Sequence, residues 1–158
     1  MFWECRLRAL KQAPTAFLVT LDEEKAQGPS RFEKTLTHEG NEHSLFGAIV
    51  DEPSRKIVAT SGIFHEEKTK LRHKATIYGF FVDEDQRGKG VGGKLLDLTI
   101  QFAREEMKVS TIYLNVESTN LPAIKLYESR DFKMWGTEPK SEKEGDKFFD
   151  TSHMTLIL

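Results

Sequence analysis

Nine residues, Gln86-Arg87-Gly88-Lys89-Gly90-Val91-Gly92-Gly93-Lys94, concentrate four glycines and three cations. Such a stretch suits an anion. Glycines let the backbone come close to a ligand, several amides can converge on one spot, and a helix starting there adds partial positive charge. Phosphates are the natural guests. Gly88, Gly90 and Gly93 satisfy the dinucleotide pattern G-x-G-x-x-G. Gly88, Gly93 and Lys94 approach the nucleoside-triphosphate loop, but Leu95 stands where that loop needs a magnesium-binding Ser or Thr. The plain alternative is a strand-to-helix turn without a ligand, and the glycines and cations together weigh against it.

The elements around this stretch narrow the choice. Ala75 to Val82 is rich in β-branched and aromatic residues and reads as a strand, with Gly79 inside it as the mark of a bulge or close backbone approach. Val91 to Met107 reads as a helix with two apolar stripes, Val91, Leu95, Leu98 and Phe102 on one and Leu96, Ile100, Ala103 and Met107 on the other. Thr111 to Val116 is the next strand. Reached through that helix, it should run parallel to Ala75–Val82 by a right-handed crossover. Upstream, Glu4 to Gln12 suits an amphipathic helix ended by Pro14, so an opening strand is at most Met1 to Trp3. A second helix is expected from Ser30, with Glu33 completing a capping box, Phe32 and Leu36 on one face and Gly40-Asn41 closing it. Ser44 to Val50 and Arg55 to Phe64 read as strands joined by a short turn, hence antiparallel. The charged stretch His65 to His73 leads into the central strand. Downstream, Leu121 to Ser129 reads as a short helix, Phe132 to Trp135 as a strand, Pro139 to Asp146 as a charged loop and Met154 to Leu158 as a final strand.

With 158 residues and no linker or repeat, the chain reads as a single domain, 1–158. A net charge of -2 gives no basic field for nucleic acid, and no apolar run approaches the roughly 20 residues that span a bilayer. Met1 to Leu10 lacks the apolar core of a signal peptide, and the single cysteine, Cys5, fits a reducing cytoplasm. His65 and His73 have no partner at metal-ligand spacing, so no metal is expected. Only one parallel crossover follows the glycine stretch, which argues against both nucleotide-binding templates.

A second constellation lies downstream, in Asn120-Leu121-Pro122-Ala123-Ile124-Lys125-Leu126-Tyr127-Glu128-Ser129-Arg130-Asp131-Phe132. Asn120, Ala123, Leu126, Tyr127 and Phe132 match N-x-x-A-x-x-L-Y-x-x-x-G-F, while Arg87, Gly90 and Gly92 match R-x-x-G-x-G. Two motifs in this order, on these elements, resemble the GNAT family of N-acetyltransferases over about Leu45 to Phe132. The resemblance implies an α+β fold: a mixed, mostly antiparallel sheet with a splayed parallel strand pair, flanked by helices. It implies transfer of an acetyl group from acetyl-CoA to an amine acceptor, with a non-catalytic acyl-CoA sensor as the alternative, and it is compatible with a homodimer. Amides of Arg87, Gly88, Lys89, Gly90, Val91 and Gly92 would cradle the pyrophosphate. Phe81 and Val82 would pair with the pantetheine arm, Gly79 would splay the strands, and Asn120, with Ala123 in its motif, would hold the arm. Tyr127 would serve the departing thiolate as general acid. Glu117 could act as general base, or be a solvated carboxylate at a strand end. Asp131 stands where the family has glycine, in a left-handed turn that Asp tolerates better than most residues.

Overall fold

The computed structural model describes residues 1–32, 44–65 and 68–158. Its elements are α1 (Phe2–Gln12), α2 (Leu21–Gln27), β1 (Ser44–Asp51), β2 (Lys56–His65), β3 (Lys74–Val82), α3 (Val91–Glu105), β4 (Thr111–Glu117), α4 (Leu121–Glu128), β5 (Lys133–Glu144) and β6 (Lys147–Ile157). Six strands form one sheet in the order β1-β2-β3-β4-β6-β5. Every neighbour pair is antiparallel except β3 and β4. The mixed sheet with one parallel pair is the α+β arrangement that the sequence implies.

The start of the chain departs from expectation. The helix begins at Phe2, leaving no strand at Met1–Trp3. α2 is a helix the sequence reading missed. Its cap was legible: the Thr20 side chain accepts the Glu23 amide at 3.2 Å, and Glu23 Oε2 accepts the Thr20 amide at 2.7 Å. Those reciprocal bonds satisfy two of the amides a helix start leaves orphaned. At the site expected for the second helix, Pro29–Phe32 forms a 3-10 turn, and the rest, through Asn41, lies outside the described residues.

The main core joins the sheet to α3 and α4 through Ile63, Ile77, Leu96, Ile112, Leu114, Phe132 and Met154. A smaller cluster of Cys5, Ala9, Ile57 and Phe81 seats α1. α3 follows its expected stripes except at Leu98, which is 50% exposed. Thr99 takes the buried place beside it, its hydroxyl bonding back to the Leu95 carbonyl at 2.9 Å and meeting Ser61 Oγ at 3.2 Å. Asp131 adopts φ 64°, the left-handed turn expected of it. The loop expected at Pro139–Asp146 is mostly strand: β5 continues to Glu144 and turns at Gly145 into β6.

Two irregularities shape the middle of the sheet. Thr60 pairs with Phe81 and Gly62 with Tyr78, so Gly79 and Phe80 together oppose Ser61 alone. Gly79 sits at φ 60°, a backbone state glycine reaches without penalty. A bulge of this kind bends its strand. Accordingly β3 and β4 pair only at Lys74, Ala75 and Thr76, opposite Thr111, Ile112 and Tyr113, and part beyond.

Candidate active site

Where β3 leaves β4, a cavity of about 710 Å³ opens. Asp83 follows Val82, the last residue of β3 that lines it. Burial pushes its carboxyl up, but hydrogen bonds and charge from Arg8 and Lys56 outweigh that and hold it below the usual carboxylate range. Arg8 Nε and Nη2 reach its two oxygens at 3.1 and 3.0 Å, Lys56 Nζ lies at 3.1 Å, and Arg8 Nη2 also donates to the Ile57 carbonyl at 2.6 Å. The Asp83 amide donates to Val58 O at 2.8 Å. This node ties α1, β2 and the end of β3 together just before the glycine loop.

The loop then turns through Gly88 at φ 74° and Gly90 at φ 80°, and Gly90 caps α3 with no side chain to accept its first amides. Those amides are the orphans of a helix start. A Cβ on Gly92 would come within 3.3 Å of Val82 Cγ2 and 3.4 Å of Leu126 Cδ2, so the missing side chain keeps the loop against the strand and α4. Arg87, Gly88, Gly90, Gly92 and Gly93 all line the cavity, whereas the expected Lys89 and Val91 do not. Arg87 folds back, donating from Nε to the Val82 carbonyl at 3.1 Å. Phe81 and Val82 line the wall, where β3 has parted from β4.

The opposite wall comes from β4 and α4. Asn120 caps α4, accepting the Ala123 amide at 3.3 Å through Oδ1, and both residues line the cavity. Tyr127, one turn on, is 5% exposed. Its ring lies edge-on to Phe80 at 5.8 Å and to Phe132 at 5.9 Å. Burial pushes its phenol above the ordinary range, with no hydrogen bond acting on it. Glu117, at the end of β4, lines the same space and accepts from the Thr119 hydroxyl.

The arrangement thus has unpartnered amides at one end, an open strand edge along its length and a buried phenol in its wall. A pyrophosphate suits the amides, an extended amide-bearing arm suits the edge, and the phenol faces where that arm would end. The residues fit an acyl-CoA. Several cavity-lining residues escaped the sequence reading, among them Arg6 of α1, Phe17 and Val19 after it, and Glu142 of β5, on the segment taken for a loop. Among the described residues no cluster of His, Cys, Asp or Glu is placed to hold a metal, and no helix is long and apolar enough to cross a membrane.

Comparison with known proteins agrees with this geometry. A 79-residue stretch is 35% identical to the spermine/spermidine N(1)-acetyltransferase of Bacillus subtilis, covering 49% of this chain and 52% of that protein. The chain thus spans about half the length of this curated relative. Its fold is similar to that of a probable acetyltransferase from Staphylococcus epidermidis, with TM-score 0.77 at 19% identity, covering 99% of this chain and 92% of the other. It is also similar to a ribosomal-protein-alanine N-acetyltransferase from Brucella melitensis, with TM-score 0.73 at 23% identity, covering 99% and 94%. The model of the acetyltransferase (GNAT) family matches residues 8–132. With the glycine loop, the parted strands and the Asn120–Tyr127 helix all inside that span, the chain belongs to the acetyltransferase (GNAT) family.

Proposed function

We propose that this protein, acting as one domain over residues 1–158, transfers an acetyl group from acetyl-CoA to a primary amine. The observation that carries this is the single cavity where the loop amides, the parted β3 edge and Tyr127 meet. Acetyl-CoA would supply an activated thioester. The amides at Gly88–Gly92 bind its pyrophosphate, with Arg87 swinging from the Val82 carbonyl and the exposed Glu84 carboxylate onto phosphate. Releasing that carbonyl also opens the strand edge to the pantetheine amides, as in strand addition. Asn120 and Ala123 border the arm, and Phe80 and Phe132 keep water from the Tyr127 ring.

Tyr127 offers its hydroxyl to the departing sulfur. A thiol has a pKa of about 8.5 and an ordinary phenol about 10, so full proton transfer is already uphill, and burial raises the phenol further. Its hydroxyl therefore acts by donating a hydrogen bond to the thiolate more than by giving up its proton. Glu117 places negative charge where an ammonium arrives. The relatives' names include a spermine/spermidine N(1)-acetyltransferase, an L-amino acid N-acetyltransferase and an N-alpha-acetyltransferase, so the acceptor is proposed only as a primary amine.

Thiol release from acetyl-CoA, followed with spermidine, phenylethylamine, amino acids and short peptides as acceptors, tests the reading. A thermal shift with CoA, NAD and ATP runs beside it. Linkage predicts about 2.7 kcal/mol of stabilisation at a ligand concentration a hundredfold above Kd. A shift with CoA and thiol release with an amine support the transferase. A CoA shift with no thiol release makes the protein an acyl-CoA sensor, and a shift with NAD or ATP alone overturns the reading. Sizing by light scattering tests whether the chain forms a homodimer, and a reducing cytoplasm suits the lone buried Cys5.

A further inference from the structure

The β5–β6 hairpin carries a feature that a plain ladder would lack. Glu138 pairs with Thr151, and a regular continuation would set Glu142 opposite Lys147. Instead Glu142 pairs with Phe149, because Pro139, Lys140 and Ser141 bulge out against Asp150 alone. At about 3.3 Å per residue, the bulge draws Glu142 roughly 7 Å along β6 toward Thr151, the partner of Glu117. It is held by several bonds. The Lys140 amide, at φ 52°, donates to Asp150 Oδ1 at 2.8 Å. Ser141 Oγ lies 2.6 Å from Thr151 Oγ1, the Thr151 hydroxyl reaches Glu142 Oε1 at 3.4 Å, and the Asp150 carbonyl accepts the Ser118 amide at 2.8 Å. Bulges beside active sites commonly re-aim a side chain. Here the side chain is a carboxylate that lines the acetyl-transfer cavity.

We propose that Glu142, rather than Glu117, is the catalytic base that accepts the proton of the acceptor's ammonium, and that the Pro139–Ser141 bulge exists to bring it there. This rests on the acetyltransferase reading. Glu117 Oε1 already accepts from Thr119, which fixes that carboxylate at the strand end. Glu142 is held only by one long bond from Thr151. Burial and the charge of Glu117 raise its proton affinity against that bond, toward the range a base needs. The groups facing it are Glu117 from β4 and the Thr151 hydroxyl from β6, while Arg6 of α1 and Arg87 of the glycine loop line the same cavity. The step balances as follows. One ammonium proton passes to Glu142 and later to solvent, and the freed nitrogen lone pair forms the bond to the acetyl carbon. The carbon–sulfur bond breaks with its electron pair on sulfur, and the second nitrogen proton is lost as sulfur gains one through the Tyr127 side of the cavity.

Two measurements test it. In the protein without ligand, the Glu142 carboxyl followed by carbon-13 NMR should titrate above the ordinary value for Glu, and Glu117→Gln should bring its midpoint down. With an accepting amine, Glu142→Gln should lower kcat/KM by about 10²-fold or more, the range typical of a positioned base, and abolish the acid limb of the pH profile. Its CoA-induced thermal shift should match wild type, which shows that the fold and the loop are intact. An ordinary Glu142 titration, or a Glu142→Gln variant that keeps its acid limb and turns over within threefold of wild type, overturns the proposal. Wild-type protein that binds CoA but releases no thiol with any amine overturns the acetyltransferase reading, and this role with it.

Discussion

Replacing Tyr127 with Phe separates a hydroxyl from a ring. The ring's packing against Phe80 and Phe132 survives the change. Only burial acts on the phenol's proton affinity, so the hydroxyl has no protein partner to lose. Removing a hydroxyl that faces the cavity without a protein partner should leave stability nearly unchanged. The kinetic cost follows from the hydroxyl's task. A hydrogen bond to a charged group contributes about 1.5–3 kcal/mol. At about 1.4 kcal/mol per tenfold, turnover should fall by roughly 10- to 150-fold. Obligate proton transfer would cost up to about 10⁴-fold, so the size of the drop distinguishes the two modes. The assay is thiol release at saturating acetyl-CoA, with CoA affinity by calorimetry and Tm by scanning. Affinity should hold, since the glycine loop is untouched, and a fall in turnover alone marks an interaction made in the transition state. Normal turnover with a Tm lowered by several degrees would refute the reasoning and make Tyr127 a core aromatic.

Four further outcomes are expected. Asp83→Asn removes the charge shared by Arg8 and Lys56; breaking a buried pair costs about 3–5 kcal/mol, and the partial exposure of both cations places the loss near the lower end, read by urea unfolding. Because the folded Asp83 carboxyl is depressed, its stabilisation is present above its unfolded pKa of about 3.9 and lost as pH falls through the lower folded value, so the variant should lose less stability than wild type on acidification below about pH 4. Gly90→Ala forces φ 80° on an L-residue, at about 1–2 kcal/mol, and should weaken the CoA thermal shift. Gly93→Ala meets only the mobile end of Arg130, which can swing off Asp97; the lost surface bridge, at most about 1 kcal/mol, offsets the helix gain of similar size, and Tm should stay within about 2 °C. Cys5 is buried, and burial pushes its thiol up to about 11, so disulfide reagents at pH 8 should count no thiol in the native protein and one after unfolding.

The elements built from local signals were legible in the sequence. The glycine loop, the apolar stripes of α3 and the Asn120 cap of α4 each depend on residues within a turn or two of one another. Gly79 was read as a bulge because glycine inside a strand has few other uses, and the parting of β3 from β4 follows from it. α2 was missed although Thr20 and Glu23 spelled its cap, since Ser30 and Glu33 offered the same pattern nearby. Leu98 was placed inside because periodicity cannot say how wide the covered stripe is, and Thr99 displaced it by bonding to Ser61 of β2. The Arg8–Asp83–Lys56 node joins positions far apart in the chain that meet only once α1 docks. Glu142 lay hidden for the same reason: a charged run with a proline resembles a loop, and its register is decided by Asp150 across the hairpin, which Ser118 holds from the end of β4.

The three rungs at Lys74–Thr76 give the sheet the mechanics of tweezers. β1–β3 form one arm and β4–β6 the other, and the arms are joined at the closed end and open toward Val82 and Glu117. α3 is the covalent spring between them, running from the open end of one arm back to the closed end of the other. A small rotation at the pivot becomes a wide travel at the tips, where Gly88 to Gly92 and Asn120 stand. Whatever lodges between the tips grips both arms at their greatest leverage, so the weakest seam of the backbone ladder is also where an occupant can most stiffen the whole sheet.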